Sequence, residues 1–176
     1  MIMGNILKKH MFVLWSLLAA GIIAMDQLTK FLAVTYLKPI GTVPLIRDFF
    51  HLTYLTNEGA AFGMLENHRW IFMSVSSVAI LIIAVILWRL RNGNRLLCTS
   101  LSFIVGGGIG NMIDRIALGY VIDFLHFKAI DFPIFNVADS FVCIGGVLFA
   151  IYLFKYEKEK PDVPDKAESD TEHDKC

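Results

Sequence analysis

Apolar side chains gather in four long blocks along this chain, at about residues 11–37, 70–88, 96–113 and 137–156. About 20 successive apolar residues in a helix cross the hydrocarbon layer of a bilayer, so each block predicts one membrane-spanning helix. The block at 70–88 holds no charged residue and carries Trp70 and Trp88 at its ends, where amphipathic rings settle at the two interfaces. The first block is purely apolar at its start but admits Asp26 and Lys30 in its later turns. It runs on past Lys30 without a small-residue cleavage site, which argues against a removable signal peptide. The third contains Gly106, Gly107, Gly108 and Gly110, a surface suited to close helix packing; no Gly-Lys-Ser/Thr follows, as a phosphate loop would need. The fourth has Asp139 near its start.

The segments between the blocks are not plain linkers. Residues 49–56 read Phe-Phe-His-Leu-Thr-Tyr-Leu-Thr and lead into Asn57-Glu-Gly-Ala-Ala-Phe-Gly63, while residues 120–127 are again rich in aromatic and β-branched side chains and put Asp123 in an extended stretch. The fold class expected is an all-α membrane protein, four transmembrane helices with a small extracytoplasmic β element. Residues 1–156 form the membrane domain, with extracytoplasmic segments at about 38–68 and 116–136, and no internal repeat is visible. Lys8 and Lys9, the dense cluster Arg89, Arg91 and Arg95, and Lys155, Lys158 and Lys160 place both termini in the cytoplasm by the excess of basic residues on that side.

Composition agrees: 56% hydrophobic residues over 176 exceeds what a soluble domain buries. The net charge of zero hides an asymmetry, because eight of the sixteen acids lie in residues 157–176, an aromatic-free polar stretch expected to be a disordered cytoplasmic tail. Outside it only Asp26, Asp48, Glu58, Glu66, Asp114, Asp123, Asp131 and Asp139 remain, all at or beyond the outer ends of the spans in that orientation. Three cysteines without C-x-x-C spacing and five scattered histidines suggest neither a disulfide framework nor a zinc site, so no metal and no cofactor are expected. Nothing points to nucleic acid or to an obligate protein partner.

An ionisable group at the centre of a spanning helix costs about 2.5 to 3.5 kcal/mol on insertion scales and less near the interface, so each needs a reason. Asn111 and Arg115 stand four apart at the outer end of the third block with Asp114 beside them, Asn136 and Asp139 open the fourth, and Asp123 lies on the connection between. Two carboxylates can therefore meet over a polar floor. A water between them can lose its proton to one while the other polarises a peptide carbonyl, and like charges in contact should titrate as a unit with one pKa raised. Each feature also has an ordinary structural role. Asn136 and Asp139 fit a helix cap, Asp26 and Lys30 fit a neutralising pair one turn apart, and Asn57 fits a turn that satisfies its own backbone.

Asp26-Gln-Leu-Thr-Lys30, Asn57 to Gly63, Gly110-Asn-Met-Ile-Asp-Arg115, Val121-Ile-Asp-Phe124 and Phe135-Asn-Val-Ala-Asp139, in that order from the first span to the fourth, resemble the lipoprotein signal peptidase (signal peptidase II) family. The resemblance implies an aspartyl endopeptidase of the bacterial cytoplasmic membrane, active near its outer face. It would remove signal peptides from diacylglyceryl-modified prolipoproteins by cutting before the lipidated cysteine. It implies Asp123 and Asp139 as the catalytic dyad. Asn57, Gly59, Asn111, Arg115, Asn136 and Ala138 become substrate-binding or supporting residues, and Asp26, Lys30 and Asp114 structural polar residues. Partners would be the lipidated substrates and membrane phospholipids, with the first outer segment closing over the peptide as a lid or cradle. Rival classes fit less well. Gly108-Ile-Gly-Asn111 has asparagine where a Gly-x-Gly-Asp intramembrane protease needs its acid, and Lys30 has an acid one turn away and no evident serine for a serine–lysine peptidase. A channel or transporter subunit would use the same acids as pathway residues.

Overall fold

The structure is a computed structural model that describes residues 2–59 and 69–157. In chain order it runs α1 (Ile2–Leu32) into a π-helical turn (Ala33–Leu37), β1 (Thr42–Ile46), β2 (Phe50–Asn57), α2 (Arg69–Leu90), α3 (Arg95–Ala117), β3 (Val121–Phe127), a short 3-10 turn (Lys128–Ile130) and α4 (Val137–Glu157). The described residues contain four helices long and apolar enough to cross a membrane. These helices and a three-stranded sheet match the expected fold class. The third helix is longer than its apolar block implied, reaching Ala117, so Asp114 and Arg115 are helical residues on its last turns. The charged tail from residue 158, and residues 60–68 at the end of the first outer segment expected to act as a lid or cradle, lie outside the described residues.

Helix α3 is the hub, packing against α1, α2 and α4. Of its spanning window 56% is buried, against 6% for α2, whose Val75, Val78, Leu81 and Ile82 are exposed as lipid-facing side chains would be. The glycines of α3 make this closeness possible: a Cβ on Gly107 would collide with the Ala138 carbonyl, and one on Gly110 would stand 2.6 Å from Asp26 Oδ2. The α2–α3 turn is fixed by Asn94, whose side chain caps α3 by accepting from the Leu96 and Leu97 amides (2.8 and 3.4 Å), and by Trp15 Nε1, which donates to the Arg91 carbonyl at 3.0 Å. Around this turn Trp15, Leu87, Leu97, Cys98 and Leu101 form one apolar cluster.

A second cluster closes the other end. Ala33, Leu37, Ile122 and Phe124 pack with Val43, Leu52 and Tyr54, so the sheet sits on the end of α1. The strand order is β1-β2-β3, antiparallel throughout. Strand β1 was not foreseen; its Pro44 is tolerable because β1 is an edge strand. An extra residue in β2 between Leu52 and Leu55 shifts the register, leaving Leu55 opposite Asp123 and Asn57 opposite Val121. Phe124 and Leu125 both donate their amides to the Phe135 carbonyl (3.0 and 2.8 Å), which draws the start of α4 against β3. Along α1 and α3, the polar residues Asp26, Lys30, Asn111 and Asp114 lie between the two apolar clusters and are all buried.

Candidate active site

Two asparagines connect the two aspartates. Asn136 Nδ2 donates to Asp123 Oδ1 at 2.7 Å and to Asn111 Oδ1 at 2.9 Å, and Asn111 Nδ2 donates to Asp139 Oδ1 at 2.7 Å. The second Asp123 oxygen accepts from Asn57 Nδ2 at 2.9 Å. Asp139 is also fastened to its own helix end: its amide donates to Asn136 Oδ1 (2.9 Å), and its Oδ2 accepts from the Asn136 amide (3.2 Å). That reciprocal pair is the capping pattern expected from the sequence, and it coexists with the bridge to Asp123. Asn57 likewise does two things, since its Oδ1 accepts the Gly59 amide at 3.1 Å within its turn while its Nδ2 reaches Asp123.

Beneath the pair lies an ionic floor. Lys30 Nζ contacts Asp26 Oδ2 at 2.8 Å, Asp114 Oδ2 at 3.0 Å and Asn111 Oδ1 at 2.8 Å. The pairing of Asp26 with Lys30 expected from their spacing is present, and Asp114 joins it from α3. Both acids also hold backbone: Asp26 Oδ1 accepts the Ala138 amide at 2.9 Å, and Asp114 Oδ2 accepts the Ile122 amide at 3.1 Å. Gln27, which the sequence reading passed over, donates to Asp114 Oδ1 (3.0 Å) and to the Gly110 carbonyl (3.1 Å). Its signal was available, a third polar residue among apolar neighbours in the same turn as Asp26 and Lys30. Arg115 lies within electrostatic reach of Asp139, Asp123 and Asp114. Thus Asn57, Gly59, Asn111, Arg115, Asn136, Ala138, Asp26, Lys30 and Asp114 all gather around Asp123 and Asp139.

Burial dominates the electrostatics of Asp123, which is 1% exposed. It pushes the carboxyl from 3.8 up to about 6; the hydrogen bond from Asn57 pulls the other way, the charge of Asp139 adds to the rise, and Asn136 and Lys30 oppose it. Near neutral pH this group is close to its own titration, as proton transfer requires. Among the described residues no group of three or more His, Cys, Asp or Glu side chains is arranged to hold a metal ion.

Four spanning helices, a small sheet over one end, and a buried Asp123 beside a half-buried Asp139 on an ionic floor define a multi-pass membrane protein with a polar carboxylate site at one end of its bundle. A family model described as signal peptidase (SPase) II matches residues 18–155. The lipoprotein signal peptidase of Brevibacillus brevis is 50% identical over 133 residues, 75% of this chain and 89% of the relative. That of Caldanaerobacter subterraneus subsp. tengcongensis is 46% identical over 140 residues, 78% of this chain and 94% of the relative. A bacterial membrane enzyme solved by the in meso method at 2.3 Å superposes with a TM-score of 0.71 at 33% identity, covering 84% of this chain and 92% of that one. The chain belongs to the signal peptidase II family, and is a multi-pass bacterial membrane peptidase.

Proposed function

We propose that the chain is an aspartic-type peptidase that removes signal peptides from diacylglyceryl-modified prolipoproteins, with Asp123 and Asp139 as its catalytic dyad. The observation that carries this reading is the linkage of the two carboxylates through Asn136 and Asn111, every carboxylate oxygen holding one donor and keeping a lone pair for a water between them. With one proton shared by the pair, the ionised carboxylate takes a proton from the water as its oxygen attacks the scissile carbonyl, and the protonated one gives its proton to the carbonyl oxygen. Collapse of the tetrahedral intermediate breaks the C–N bond. The proton taken from the water passes to the leaving amine, and the carbonyl oxygen returns its proton to the second carboxylate, which restores the pair. Arg115 and the asparagine amides are suited to hold peptide carbonyls.

The basic cluster at Arg89, Arg91 and Arg95 supports an orientation with both termini cytoplasmic and the dyad near the outer face. A lipidated cysteine anchored in the outer leaflet presents its scissile bond at that depth, and phospholipid surrounds both partners. The test is incubation of the purified protein in detergent with a prolipoprotein in lipidated and unlipidated forms. Cleavage before the cysteine of the lipidated form alone is expected; equal cleavage of both would remove the lipid from the account, and cleavage of neither would remove the function.

A further inference from the structure

A buried lysine between two acids is easily taken for a stabilising ion pair, but the partners of Lys30 suggest something more specific. The side chain is 2% exposed, and each of its three protons has an acceptor: Asp26, Asp114 and Asn111, at 2.8, 3.0 and 2.8 Å. Each acceptor then leads to the dyad. Asp114 holds the amide of Ile122, the residue before Asp123, and Asp26 holds the amide of Ala138, the residue before Asp139. Asn111 holds Asp139 itself through its Nδ2, and its Oδ1 takes the Asn136 amide that reaches Asp123. One ammonium thus joins α1 to α3 and, at one remove, to β3 and α4, the two elements that carry the aspartates.

We propose that Lys30 is a positioning residue that sets the spacing and mutual orientation of Asp123 and Asp139, through three donors that tie together the groups anchoring the chain beside each of them. This rests on the dyad reading above. Stability alone is a poor reason for such a centre, because desolvating an ammonium and two carboxylates offsets much of their attraction, and packed apolar residues often serve a fold as well. A tetrahedral donor also does what an amide or a guanidinium does not, aiming three bonds at three acceptors from one atom. The acidic groups around Lys30 come from four elements: Asp26 on α1 and Asp114 on α3 in direct contact, and Asp123 on β3 and Asp139 on α4 within electrostatic reach. Its charge is felt by both dyad carboxylates.

The experiment compares Lys30→Arg and Lys30→Met in the full-length protein, purified in detergent and assayed on a lipidated prolipoprotein, with rates referred to the folded fraction from thermal melting. Lys30→Arg keeps the charge and loses the geometry. Its kcat should fall about tenfold or more with KM close to wild type, and the pH dependence of kcat/KM should keep its limbs. Lys30→Met loses both, so kcat should fall further, about a hundredfold, and the pH profile should move upward as the cation near the two carboxylates disappears. Wild-type kcat and an unshifted profile in the folded Lys30→Met protein, with only yield or melting temperature reduced, would leave Lys30 a structural ion-pair partner and overturn the proposal. If that variant does not fold, Lys30→Arg decides: unchanged kcat contradicts positioning. Asp123→Asn and Asp139→Asn are assayed alongside. Cleavage by those variants would mean that the dyad reading had failed; their inactivity beside fully active Lys30 variants would mean that only the positioning role had.

Discussion

Asp123 meets amides from two different elements, Asn57 at the end of β2 and Asn136 just before α4, and is otherwise closed off from solvent. Its raised pKa has a consequence for stability with a definite sign. An acid whose folded value lies above its unfolded value keeps its proton longer in the folded state, so folding stability is fullest below about pH 3.8 and declines as pH rises through about 6. In Asp123→Asn that contribution is gone. The wild-type melting temperature in detergent should therefore drop between pH 4 and pH 6.5 by more than that of the variant, and parallel curves would contradict the burial argument. Several residue roles were legible early, because a carboxylate or amide in an apolar helix needs a reason and Asp26 and Lys30 announce theirs by spacing. The link from Gln27 to Asp114 was not, since the two lie 87 residues apart and only the packing of α1 on α3 joins them.

At the level of elements, the spanning helices could be read from length and apolar composition because a bilayer imposes both. The ends were harder. The apolar block of the third span ends at about residue 113 with Asp114 and Arg115 at its outer end; α3 continues through them to Ala117, with Lys30 and the Ile122 amide satisfying Asp114 inside the protein. Strands β2 and β3 were visible in their aromatic and β-branched runs, whereas β1 is short, holds a proline, and owes its existence to pairing with β2. The glycine run on α3 was read as a packing surface, and its contacts agree. Gly107→Ala should force α3 and α4 apart where a Cβ meets the Ala138 carbonyl and Val142, costing about 1–3 kcal/mol. Gly146→Ala, with nothing within 4 Å of its added Cβ, should be neutral or stabilising by up to about 1 kcal/mol. Thermal melts of the two variants check this, and a Gly107→Ala protein as stable as wild type would show that the helices have room to spare.

For the molecule as a whole, the helices provide a buried ionic floor and the sheet brings β3 and Asn57 over it, so the candidate site exists only where bundle and sheet meet. Its position relative to the membrane follows from the proposed orientation. With the native cysteines replaced, a thiol introduced by Asn92→Cys in the α2–α3 turn should react with membrane-impermeant reagents only after the cytoplasmic side is opened. One introduced by Asp48→Cys should react from outside; the reverse pattern would turn the site to the cytoplasm. Whether Asp123 and Asp139 act as one acid–base unit is read from cleavage of lipidated prolipoprotein by the purified Asp123→Asn, Asp139→Asn and double variants. Asparagine preserves the shape of either side chain and removes the proton-transferring group, so each single variant should fold, bind substrate and lose about three orders of magnitude or more in kcat, the double variant being scarcely worse than either. Near wild-type cleavage by either well-folded single variant would contradict the dyad reading.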